Sequence, residues 1–263
     1  MFDKLDYVRK QEKALFSDLA WNFPEQKQGL VMIIGGNSQN FSAVNRSMDR
    51  LSRDFPVREV VAGLPESLRR KLPPVPNLMF FPATESGSFA KSSELSRALL
   101  NFDMGVFIGD FSKNSETAAA IAEAVVKSEK EMIITRDTID LLAADMGEII
   151  SKENVILIGS MMQMQKVFRA VYYPKMLMLS MPLLSALEAL HKFTISYPAT
   201  ILTFHEGQII VAKGGEIITT KIDMTDYSPI SLWDSRLAMD VVGFNLYNPK
   251  KELQATSAAV LGM

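Results

Sequence analysis

The segment DMGVFIGDFSKNSETAAAIAEAVVKSEKEMIIT, residues 103–135, reads as a strand, a helix and a second strand in turn. Asp103–Asp110 is an apolar run without polar alternation, the pattern of a strand covered on both faces. Ser115–Lys127 is alanine-rich, and Ser112, Asn114 and Ser115 at its start offer oxygens that can cap its first turn. The same N-terminus would also suit an anion, and both readings stay open. Glu131–Thr135 is again a short β-prone run. Two such strands joined through a helix are expected to lie parallel with a right-handed crossover.

The same alternation extends in both directions. Upstream, Leu30–Ile34 is a buried-strand pattern ending at Gly35-Gly36, followed by a helical Ala43–Phe55 that Pro56 stops. Val57–Gly63 and Leu78–Phe81 are further strands, and Ser92–Asn101 is helical. Downstream come helical Thr138–Ala144, a strand at Asn154–Gly159, and helices at Met161–Ala170 and Ser180–Phe193. The texture then changes. Ala199–Phe204, Gln208–Ala212 and Glu216–Ile222 are strand-like runs with glycine-bearing connections between them, which predicts an antiparallel meander. Helices at Ile230–Tyr247 and Lys251–Leu261 end the chain, and leucines and valine across Asp3–Leu19 predict an opening amphipathic helix. The expectation is a three-layer α/β/α fold with a mostly parallel sheet and an antiparallel meander in the C-terminal third. It forms one domain over residues 1–263, with residues 1–28 as an N-terminal helical segment.

Composition narrows the function. Of 263 residues, 48% are hydrophobic and 22% charged, enough to fill a sizeable core. A net charge of −2 gives no footprint for nucleic acid or an anionic membrane. No cysteine is present, which removes disulfides, thiolate catalysis and Cys-ligated metal and fits a reducing cytoplasm. The opening MFDKLDYVRKQEKALF lacks the apolar centre of a signal peptide, and no apolar run is long enough to span a bilayer. Two histidines, His191 and His205, are too few for a His-based metal site, and His205 reads as a solvated turn residue. The 16 methionines, as in Met161-Met162-Gln163-Met164, read as core filling.

Short motifs occur along this frame in a particular order. IIGGNSQNFSAV (33–44) holds Gly35, Gly36 and Ala43; FIGDFSKNSET (107–117) holds Gly109; TRDTIDLL (135–142) holds Asp137. The meander ATILTFHEGQIIVAKGGEI (199–217) and SLWDSRLA (231–238), with Asp234, follow. This order resembles the ribokinase-like superfamily, specifically the ADP/ATP-dependent NAD(P)H-hydrate dehydratases. The resemblance implies that Gly35, Gly36, Ala43, Gly109 and Asp137 line a substrate or nucleotide site, and that Asp234 is the catalytic aspartate. It also implies ATP or ADP as cofactor, with magnesium, and a homo-oligomeric assembly.

The departures matter as much. Where the family has Gly-Thr-Gly before its aspartate, this chain has Ser231-Leu232-Trp233, although close phosphate approach needs glycine. The phosphate-binding Lys-Gly pair is replaced by Phe204-His205, and a Pro-His-Pro-Gly-Glu loop by Gly159–Gln163. The leading expectation is therefore a catalytically degenerate dehydratase-like protein that keeps nucleotide or small-molecule binding. An active dehydratase or small-molecule kinase using Asp234 as base is the second reading, and a structural or interaction protein the third. Bland alternatives accompany the site residues: a tight turn for Gly35-Gly36, an N-cap for Asp234, and capping for Asp137 and Asp140, which could otherwise approach magnesium through water.

Overall fold

The computed structural model describes residues 5–11, 16–21, 23–222 and 234–262. The strands are β1 (Val8–Lys10), β2 (Gln28–Gly35), β3 (Val57–Pro65), β4 (Leu78–Phe81), β5 (Met104–Gly109), β6 (Glu131–Thr135), β7 (Val155–Ile158), β8 (Thr200–His205), β9 (Gln208–Lys213) and β10 (Glu216–Lys221). The helices are α1 (Ser42–Asp54), α2 (Glu94–Leu99), α3 (Ser115–Lys127), α4 (Asp137–Leu141), α5 (Met146–Ile150), α6 (Met161–Ala170), α7 (Leu183–Ser196), α8 (Arg236–Tyr247) and α9 (Glu252–Ala258).

All ten strands join one sheet in the order β1-β10-β9-β8-β7-β6-β5-β2-β3-β4. The pairs from β4 through β8 are parallel, whereas β8, β9 and β10 pair antiparallel. The turns of that meander, Glu206-Gly207 and Gly214-Gly215, all have positive φ (45°, 73°, 58° and 84°), which matches the right-handed strand twist of tight hairpins.

The apolar runs are continuous because both sheet faces are covered. On β2, Met32 and Ile34 face a core shared with α2, α3, α5, α6 and α7, while Val31 and Ile33 face one shared with α1, α8 and α9. The methionines expected to fill space do so at Met161 and Met164, although Met162 of the same run is exposed. Among the described residues no helix is long and apolar enough to cross a membrane.

The structure corrects the opening helix expected at Asp3–Leu19. Val8–Lys10 is instead an edge strand parallel to β10, because the open edge of β10 offers backbone groups that an extended segment satisfies. Phe16 and Leu19 nevertheless bury their side chains, in the α1/α8/α9 core. The helical Thr138–Ala144 is also shortened, α4 ending at Leu141, and a separate α5 starts at Met146. The first residues of the expected Ile230–Tyr247 helix, and Ser231-Leu232-Trp233 with them, lie outside the described residues; α8 begins at Arg236.

Candidate functional site

The strand order reverses between β2 and β5. From β2 the chain winds outward to β3 and β4, then returns to place β5 on the other side of β2. The helices that follow, α1 and α3, pack on opposite faces, so a crevice opens beyond the C-terminal ends of β2 and β5. Gly35, Gly36 and Gly109 stand at its floor. Gly36, with φ +87°, donates its N–H to the Gly109 carbonyl at 2.9 Å. A Cβ on Gly35 would lie 2.6 Å from that carbonyl oxygen, so glycine is required by the close approach of the two strand ends.

Asp137, the first residue of α4, reaches into the same place. Its carboxylate accepts the Asp110 N–H at 3.1 and 3.2 Å through its two oxygens. Burial raises the Asp137 carboxyl above its ordinary range, with the Asp110 amide and the Arg136 charge opposing. Asp110 and Arg136 are themselves left-handed, with φ of 60° and 56°, unusual for residues bearing a Cβ. Their side chains hold the strained ends together: the Arg136 guanidinium donates to Asp110 Oδ1 at 2.9 Å and to the Ile108 carbonyl at 3.2 Å. Asn37 adds a bond from Nδ2 to the Asp110 carbonyl at 2.7 Å. Asp110 Oδ2 and Arg136 Nε remain buried without partners. Backbone strain and orphaned polar atoms concentrated at one crevice are features common at ligand sites.

Beside this clamp is a hollow of about 320 Å³ lined by Phe111, Lys113, Asn114, Ser115, Asp137 and Asp140. Asn114 serves as the α3 cap, its side chain accepting the Thr117 N–H at 2.7 Å. Asp140 is ion-paired with Lys166 and accepts from Gln163 Nε2 at 2.9 Å. Gln163 completes a capping box with Ser160 and also donates to the Arg136 carbonyl at 2.6 Å. Asp140 is thus engaged by Lys166 and Gln163, and Asp137 by a backbone amide. Among the described residues no cluster of three or more His, Asp or Glu could hold a metal.

Asp234 and Ala43 are not part of this crevice floor. Ala43 is fully buried in the core under α1. Asp234 is exposed one residue before Ser235, the N-cap of α8, and accepts the Arg236 N–H at 2.8 Å in a local turn rather than as the N-cap expected of it. Ser235 next to it is left-handed, with φ 70°, and its hydroxyl meets Ser47 of α1 at 3.0 Å. A second hollow of about 280 Å³ opens here, with Arg46, Arg50, Arg53, Asp234, Ser235 and Arg236 around it. Arg50 grips the buried Asp240 of α8 with Nη2 bonds of 2.6 and 2.8 Å, yet burial still pushes the Asp240 carboxyl up to about 6. Arg46 and Arg236 add two guanidinium groups to this hollow, the Arg236 charge also acting on Asp54 and Asp240, so the hollow is rich in donors that suit an anion.

His205 corrects its expectation: it is 5% exposed, with Nε2 at 2.8 Å from the Met181 carbonyl, because the last β8 residue packs under the segment before α7. The sequence motifs pointed to Gly35, Gly36, Gly109 and Asp137, which the structure brings together. They did not point to Asn37, Asp110, Arg136 or the arginines, whose only local signal was their place just after strands, along α1 or at the start of α8.

The sheet order, crossovers and meander are those of a ribokinase-like α/β fold. No family model matches the sequence, and no curated protein matches it either. Solved structures do. A ribokinase-like superfamily protein from Enterococcus faecalis superposes with a TM-score of 0.68 at 14% identity, over 97% of this chain and 86% of that one. A hypothetical protein from Streptococcus mutans gives 0.65 at 16% identity, over 96% and 87%. The ADP/ATP-dependent NAD(P)H-hydrate dehydratase from Bacillus subtilis, co-crystallised with ATP and Mg²⁺, gives 0.59 at 12% identity, over 95% and 84%.

Proposed function

We propose that this protein is a catalytically degenerate relative of the NAD(P)H-hydrate dehydratases that retains binding of a phosphate-bearing small molecule, a nucleotide or dinucleotide. The observation that carries the reading is the convergence of Gly35, Gly36, Gly109 and Asp137 at the point where the strand order reverses. Ligands of open α/β sheets bind beyond the strand ends at such a point. Arg46 and Arg236 beside the N-terminus of α8 supply charge that suits phosphate.

Loss of catalysis is supported by what occupies the family's reactive positions. Phe204-His205 stands where an ammonium would face phosphate, and the His205 ring is buried against Met181. Asp234 spends a carboxylate oxygen on the Arg236 N–H at the entrance to α8. In the same reading the protein acts in the cytoplasm as a homo-oligomer of a single-domain chain. Sedimentation giving only a 29.3 kDa species at micromolar concentration would remove the oligomer.

Thermal denaturation with ATP, ADP, NADH and NADPH tests retained binding, since a ligand specific for the native state raises the transition temperature. Incubation with NADH hydrate and either nucleotide tests catalysis. The reading expects a shift with at least one ligand and no return of NADH absorbance. Enzyme-like turnover that Asp234→Asn abolishes would establish the active dehydratase instead.

A further inference from the structure

At the end of the sheet opposite the crevice, Thr200 and Lys213 meet Glu252 of α9, with Glu131 on the same face of the sheet. In β6, Met132 and Ile134 face the α2–α7 core and Ile133 faces the α8/α9 core, so Glu131 lies on the α8/α9 side. The same alternation puts Thr200 of β8, two residues before Leu202, and Lys213 of β9, two after Val211, on that side. Glu252 opens α9 over Thr200 and Lys213. Its carboxylate accepts from the Thr200 hydroxyl and from Lys213 Nζ, which also donates to the Glu153 carbonyl at 3.1 Å. Glu131 has no hydrogen-bond donor among the described residues. The charged groups acting on it are Glu252 from α9, which opposes its ionisation, and Lys213 from β9, which favours it.

We propose that Glu131 and Glu252 form an acid-stabilised latch, in which protonated Glu131 lets the Lys213–Glu252–Thr200 contacts hold α9 to the sheet and ionised Glu131 repels Glu252 and loosens it. Because α9 packs on α8, the latch also bears on the helix whose start adjoins Asp234. Burial, with Glu252 adding to it, pushes the Glu131 carboxyl up to about 7 from an ordinary 4.5. A carboxyl raised on folding contributes stability that is fully present at low pH and is lost as pH rises through its folded value. The window is therefore from about pH 4.5 to just above 7.

The test is hydrogen exchange of residues 252–262 in the full chain at pH 6 and pH 8, corrected for intrinsic exchange, in wild type and Glu131→Gln. Wild-type protection should fall by about tenfold between the two conditions, the ratio that a folded value near 7 implies. Glu131→Gln should remove most of that difference, which separates Glu131 from His191 and His205. Equal wild-type protection at both pH values, or an undiminished difference in Glu131→Gln, overturns the latch. If Glu131→Gln does not fold, Glu252→Gln serves: removing the opposing charge must shrink the pH dependence in this window, and an unchanged dependence excludes the proposal.

Discussion

Asp137 closes so tightly over Gly109 that a Cβ added at Gly109 would lie 2.0 Å from its Oδ1. The carboxylate can reach the Asp110 amide only because β5 ends in a residue without a side chain and with φ +88°. Sequence position 109 and the start of α4 are thereby one unit, and the crevice geometry depends on both.

Gly109→Ala should therefore cost more than about 2 kcal/mol, combining left-handed strain with a displaced buried carboxylate. It should also abolish any ligand-induced rise in transition temperature. Urea denaturation and the ligand thermal shifts read the two effects separately.

Arg50→Met should destabilise the protein by about 3–5 kcal/mol near neutral pH, because it leaves the buried Asp240 charge without its guanidinium. With Arg50 gone, the Asp240 folded value rises further above its unfolded one. Its contribution is then present at low pH and is lost as pH rises, so the deficit should be smaller at pH 5 than at pH 8. Denaturation midpoints of wild type and variant across that range check the sign.

Asp234→Asn should change stability by less than about 1 kcal/mol, since the amide oxygen can still accept the Arg236 N–H and only the helix-end charge is lost. Neither form should return NADH from its hydrate. A large loss of stability would show that the carboxylate does more than hold the turn before α8.

The β9–β10 turn separates two glycines that look equivalent in sequence. Gly214, φ 58°, has nothing within 4 Å of an added Cβ, so Gly214→Asn should be neutral or stabilising by up to about 1 kcal/mol. Gly215, φ 84°, would place a Cβ 2.7 Å from Ile195, so Gly215→Ala should destabilise by about 1–3 kcal/mol. Thermal denaturation of the two variants side by side distinguishes them.

The amino-acid order alone determined the alternation of strands and helices, the meander and the glycine turns. Apolar period and turn chemistry are properties of a few neighbouring residues, so Ser115–Lys127, Glu131–Thr135 and Met161–Ala170 could be read to their ends. Gly35, Gly36, Gly109 and Asp137 were legible as motif residues, because strand ends that approach closely require glycine wherever they occur. Tertiary structure decided the rest. Val8–Lys10 became a strand only because β10 had a free edge for it. Arg50 and Asp240, 190 residues apart, are joined only by the packing of α1 on α8. The Arg136–Asp110 pair and the unpartnered Glu131 carboxylate likewise depend on which strands the crossovers set side by side. Local sequence fixes the period of an element; desolvation, strain and charge pairing arise only when distant elements exclude water between them.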